Sequence, residues 1–174
     1  TGVQTCALPI SSTIADNSGT ASVALVFAGT GTGGIQITST GVISLASNAN
    51  TDYLYFQGGL PGAPRQVSNA GSITFGSKGN FDIGHQGGDS VVFTNTGAIT
   101  VSGGNFSVGN TAGAYGKYVQ TGATSSFVST VPTLFSYNST AGVTGSAASF
   151  GTSAFDLQGG NFSVDRKSTR LNSS

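Results

Sequence analysis

The sequence predicts an all-β chain wound as a parallel β-helix, a β-solenoid with about 26 residues and three short strands per coil. Three observations predict it. A polar lead, a glycine and a short β-branched or aromatic strand recur as TSTGVISL (38–45), SNAGSITF (68–75) and TNTGAITV (94–101), whose glycines Gly41, Gly71 and Gly97 are 30 and then 26 residues apart. A second motif follows the last two at constant distance as GNFDIG (79–84) and GNFSVG (104–109), and GGNFSV returns at 159–164, displaced by 56 positions from 103–108. The composition also favours strands, because Gly, Ser, Thr, Ala and Asn surround Val, Ile, Phe and Tyr while Glu, Met and Trp are absent.

Taken in chain order, VALVFA (23–28) is the first dense apolar run, far short of the roughly 20 residues a membrane-spanning helix needs. After AGTGTGG (28–34) comes β-prone Ile35, Gln36, Ile37 and Thr38, leading into the first glycine motif. Tyr53, Tyr55 and Phe56 follow, and GGLPGAP (58–64) is a loop by its Pro and Gly content, which accounts for the longer first spacing. In the next two units Ile73 and Phe75, Phe81 and Ile83, and Val91 and Phe93 alternate with mostly polar residues, so one face of each strand can enter a shared core. SVVF (90–93) and KYVQ (117–120) are the third strands of these units. Gly79, Gly84, Gly97, Gly103 and Gly109 supply corners. Asn80, Asn105 and Asn161 occupy equivalent positions in the repeated motif and are expected to stack as a polar ladder. The stretch 131–146 is irregular, and a β-sandwich is the alternative fold because it too uses many short strands with glycine turns.

The two ends have a different character. TGVQTCALPI (1–10) and DRKSTRLNSS (165–174) can be written as one stretch of DNA translated from opposite strands, and both resemble translated sequencing adapter. Residues 1–10 and 165–174 are therefore expected to be non-native and 11–164 to be a β-solenoid fragment without natural ends. Setting the ends aside removes the single cysteine, Cys6, and leaves Arg65, Lys78 and Lys117 against Asp16, Asp52, Asp82, Asp89 and Asp156, a formal charge of −2. Three scattered cations make a poor footprint for nucleic acid. A disordered chain would carry more charge and fewer aromatic and β-branched residues.

Chemistry-bearing residues are sparse. The densest polar cluster is Asp82, His85 and Asp89, in NFDIGHQGGDS. Asp82 takes the repeat position of Ser107, on the outward face beside Phe81 and Ile83, and the other two fall in the following turn. The expectation is a solvated turn cluster, with no catalytic, cofactor or metal residues assigned. Gly29, Gly31 and Gly34 match the G-x-G-x-x-G spacing, but the dinucleotide reading needs a helix where β-prone residues follow. The sequons at Asn105, Asn138 and Asn161 include two in the repeated NFS, where a turn role explains them. Tyr53, Tyr55 and Phe56 offer a surface on which a sugar could stack, although part of this run must be core.

At TNTGAITVSGGNFSVGN and the GKYVQTGATSSF that follows, the chain resembles passenger regions of bacterial autotransporters and related filamentous haemagglutinin-like surface proteins, over about residues 35–128 with a fainter echo to 164. The resemblance implies a right-handed β-helix displayed outside the cell or on its surface, in adhesion, aggregation or biofilm formation, and marks no functional residue. The expected function is a non-enzymatic structural or adhesive segment binding surface glycans or proteins through an extended polar face, without inserting in a membrane itself. The competing expectation is the scaffold of a polysaccharide lyase or glycoside hydrolase, whose paired carboxylates would have to lie elsewhere.

Overall fold

A computed structural model describes residues 8–16, 22–29, 33–46, 51–60, 62–111, 113–129, 134–137 and 155–164. The described residues form only strands and turns, grouped in successive coils. The first holds β1 (Leu8–Ile10), β2 (Thr13–Ala15) and β3 (Ala24–Phe27), and the second β4 (Ile35–Ile37), β5 (Val42–Leu45) and β6 (Tyr53–Phe56). The third holds β7 (Arg65–Asn69), β8 (Ser72–Phe75) and β9 (Asn80–Ile83), and the fourth β10 (Ser90–Asn95), β11 (Ala98–Val101) and β12 (Asn105–Val108). Then come β13 (Tyr115–Gln120), β14 (Ser126–Ser129) and β15 (Leu134–Tyr137), and finally β16 (Phe155–Leu157) and β17 (Asn161–Val164). Leu8–Ile10 is the only described strand within the two end segments set apart above, and it pairs with Ile35–Ile37.

Each strand hydrogen-bonds in parallel to its counterpart one coil away. The result is three sheets: β1-β4-β7-β10-β13-β16, β2-β5-β8-β11-β14-β17 and β3-β6-β9-β12-β15. Coils lie about 27 residues apart. Val67 pairs with Phe93 and Phe93 with Tyr118, steps of 26 and 25 residues. The chain is thus a β-solenoid, and the sandwich alternative, with its antiparallel sheets, does not describe it.

Alternation decides which side chains enter the interior. In β8 and β14 the burial alternates strictly, so Ile73, Phe75 and Phe127 point inward while Ser72, Thr74, Ser126 and Val128 point out. Stacking in register then lines up like with like: Ile14, Ile43, Ile73 and Ile99 form a column in the second sheet, continued by Phe127 and Phe162. Aromatic rings from the three sheets meet at the centre. Phe81 and Phe106 lie edge to face at 4.9 Å, and Phe106 contacts Phe127 at 4.8 Å. Phe56, Phe75, Phe81, Phe93, Phe106 and Phe127 are all fully buried, and each such ring stabilises the fold by about 1.5–3 kcal/mol.

A polar stack runs through the same interior. Asn69, Asn95 and Gln120 occupy one register column at the inward end of the first sheet, and all are sealed from solvent. Asn69 Nδ2 donates to Asn95 Oδ1 at 2.8 Å, and Asn95 Nδ2 donates to the Ser126 carbonyl at 3.0 Å. Gln120 accepts from the Tyr118 hydroxyl at 2.8 Å and donates to the Asn161 carbonyl at 2.9 Å. These side chains satisfy backbone groups where the chain turns from the first sheet to the second.

The ladder expected of Asn80, Asn105 and Asn161 forms only in part. Asn105 Nδ2 donates to Asn80 Oδ1 at 2.9 Å, with the two residues in register in the third sheet. Asn161 belongs instead to the second sheet, opposite Ser126. Among the described strands the 56-residue displacement covers five, one short of the six in two coils, so the second NFSV falls on another side of the coil. The corners also use glycine in two ways. Gly84 and Gly109 have φ of 76° and 69°, as expected of left-handed turns. Gly97 is needed for space, because a Cβ there would lie 2.2 Å from the Gly71 carbonyl oxygen of the coil beneath.

Candidate functional site

The polar cluster lies where β9 leaves the third sheet. Phe81 and Ile83 are committed to the core, so Asp82 between them must face outward. Gly84 then turns the chain back and lays His85 over Asp82. His85 Nδ1 is 2.6 Å from Asp82 Oδ2, and a carboxylate only accepts, so the ring donates there. Asn110 Nδ2 donates to the same oxygen at 2.9 Å, and Ser107 Oγ donates to Oδ1. On the other side the imidazole stacks on Tyr55 of the preceding coil, with centroids 3.9 Å apart and planes 12° from parallel.

Asp82 therefore faces outward as expected but is not solvated: its exposure is 0%. The cover comes from His85 in the turn that follows and from residues one coil before and one coil after. Burial pushes its carboxyl above the ordinary carboxylate range, and the hydrogen bonds from Ser107, His85 and Asn110 pull it back. The Tyr55 phenol is pushed up to about 12 by its own burial, then by the charges of Asp82 and Tyr53. It is therefore a neutral hydroxyl throughout the physiological range.

Asp89 does a separate job. Its Oδ2 accepts the backbone N–H of His85 at 3.0 Å and of Gln86 at 2.7 Å, while Oδ1 accepts that of Gly58 at 2.8 Å. It closes the turn 85–89 and ties it to the coil beneath. Thr111 Oγ1 adds a bond to the His85 carbonyl at 2.8 Å from the coil above. Asp82 and His85 meet, whereas Asp89 contacts the backbone of the turn. Among the described residues no group of three or more His, Cys, Asp or Glu side chains could hold a metal ion.

Ser107 and Asn110 were not singled out by the sequence reading, although the repeat contained the signal. Asn110 follows Gly109 as His85 follows Gly84, and Ser107 aligns with Asp82. Tyr55 was singled out for another reason, as part of a sugar-stacking run. Phe56 of that run is wholly core, while Tyr53 and Tyr55 are half-buried and outward, as the notion of a mixed run anticipated.

The glycine-rich segment after β3 leads into a strand, β4, rather than a helix; Gly31 lies outside the described residues. Beside it a cavity of about 300 Å³ is lined by Val26, Phe27, Ala28, Gly33, Gly34, Ile35 and Arg65. Arg65 is buried and donates to the Gly29 carbonyl at 2.8 Å, so its charge is engaged by the fold. Lys117 pairs with Asp156 at 3.2 Å, on the outside of the first sheet. Among the described residues no helix is long and apolar enough to cross a membrane. Asn138 and Cys6 lie outside the described residues.

Three parallel sheets stacked coil upon coil, with polar rows outside and an apolar column inside, define a β-solenoid repeat protein. Compared with protein-family models, curated proteins and solved structures, the chain matches none.

Proposed function

We propose that the chain is a non-enzymatic structural or adhesive repeat segment of a secreted or surface-displayed bacterial protein, working through its outward polar rows. The observation that carries this reading is the continuity of those rows. On the second sheet, Ser44, Thr74 and Thr100 follow one another in register over three coils, and on the third Asn80 and Asn105 do the same over two. A hydroxyl or amide repeated on successive coils presents like groups along one axis, so weak contacts with surface glycans or proteins add up by multivalency. The resemblance of the repeat units to autotransporter passengers and filamentous haemagglutinin-like proteins supports the same reading, with the segment outside the cell as part of the proposal.

The competing reading is a scaffold for polysaccharide cleavage. Beads coated with the chain, incubated with bacterial and epithelial cells and with soluble polysaccharides, test the adhesive reading and whether the chain itself cleaves polysaccharide. Adhesion above uncoated beads without new reducing ends or unsaturated products supports the proposal. Product formation, or no adhesion to any surface, overturns it.

A further inference from the structure

We infer that the outer face of the third sheet, at Tyr53, Tyr55, Asn80 and Asn105, binds a neutral oligosaccharide. The inference rests on the adhesive reading above and names the ligand class for one face. Tyr53 and Tyr55 are the two outward residues of β6, with centroids 5.5 Å apart and planes tilted by 40°. Tyr55 is held by His85 against one side, which fixes that ring beside Tyr53. Tyr55 is level with Asp82, which puts Tyr53 level with Asn80 and, one coil on, Asn105.

The chemistry of this strip fits a sugar. An aromatic ring offers an apolar face to C–H groups while its hydroxyl stays polar. The amides of Asn80 and Asn105 share one hydrogen bond, which uses one N–H of Asn105 and one lone pair of Asn80. A planar amide has two donors and two acceptor sites, so this pair retains groups of both kinds for hydroxyls that both donate and accept. The strip's own four residues are uncharged and offer an anionic sugar no ion pair. Asp82, the carboxylate in these outward rows, is wholly buried beneath His85 and its hydrogen-bond donors. Length sets the extent: from Tyr53 to Asn105 is two coil steps, about 10 Å at the usual strand spacing, or about two sugar rings.

The test is an NMR titration of the purified chain with cellohexaose and chitohexaose, and with polygalacturonate as a charged counterpart. One or both neutral hexasaccharides should shift Tyr53, Tyr55, Asn80 and Asn105 and leave Thr74 and Thr100 on the second sheet unmoved. Tyr53→Thr, which keeps a β-branched strand residue, should weaken binding by about fivefold, the effect of one ring contact. Asn105→Ala should weaken it independently and serves if Tyr53→Thr alters the circular dichroism. No shift with either neutral sugar, equal binding by both variants, or a stronger response to polygalacturonate overturns the inference. Bead adhesion would then stand or fall on its own, because that assay offers every face.

Discussion

Asn69 and Asn95 face each other across one coil, side-chain amide to side-chain amide at 2.8 Å, inside a stack closed to water. With Gln120 in the same column, these polar residues bear on which coil sits on which in an interior packed mainly with isoleucine and phenylalanine. A slip of β10 by one residue would point the Asn95 amide outward and leave the Asn69 amide and the Ser126 carbonyl without it.

Replacing Asn95 with Ala should destabilise the chain by about 2–4 kcal/mol, because it strands the Asn69 amide and the Ser126 carbonyl in a buried site. Urea unfolding followed by circular dichroism measures it. The paired change Asn69→Leu with Asn95→Leu should cost clearly less than the sum of the single changes, since removing both partners leaves no amide stranded by its mate.

The aromatic centre makes a second prediction. Phe81 touches Phe56, Phe75, Phe93 and Phe106, so Phe81→Ala should cost about 3–5 kcal/mol in the same unfolding measurement. Val26→Ala, at an exposed position one coil from Tyr55, should change stability by under about 0.5 kcal/mol.

The two uses of glycine separate in a third comparison. Gly122 has φ of 91° with nothing near a Cβ, so Gly122→Ala should cost about 1–2 kcal/mol of backbone strain. Gly97→Ala drives a methyl into the Gly71 carbonyl, and backbone hydrogen-bonded in a stacked coil cannot yield cheaply. Its cost should exceed that of Gly122→Ala, at about 3 kcal/mol or more, and its thermal midpoint should fall further.

The pH dependence of Asp82 has a definite sign. Its folded carboxyl is raised above the unfolded value, so the folded chain binds the proton more tightly. The cost of burying its charge is therefore fully present above the folded value and is relieved as pH falls through that value towards the ordinary carboxylate range. The stability of the wild-type chain relative to Asp82→Asn should accordingly improve on acidification across that window. Denaturant midpoints of the two proteins at a series of pH values check it, and a wild-type chain that loses ground to the variant on acidification contradicts the assigned shift.

Much of the fold was legible in the sequence because a solenoid writes its period into the chain. The glycine leads and the NF motif marked β8, β9, β11 and β12, and alternation chose Ile73, Phe75, Phe81 and Phe93 for the core. What alternation could not give was the environment outside the sheet. Asp82 pointed outward by its period, yet the ring and amide that cover it come from Gly84 turning the chain back and from Asn110 a coil away. Asn69 and Asn95 read as polar leads to a turn, and only the stacking of one coil on the next turned them into a buried pair. Position along the chain specified a strand; which sheet it joined depended on the intervening lengths.

The tetrapeptide NFSV is built into the third sheet at Asn105–Val108 and into the second at Asn161–Val164. The same four letters thus serve as interchangeable bricks for two different walls. For such a chain, extra residues between repeats act as a change of phase: they rotate the assignment of every later strand around the axis and leave the inward and outward sense of each intact. Duplicated units can then diversify by where they land before any of their residues change.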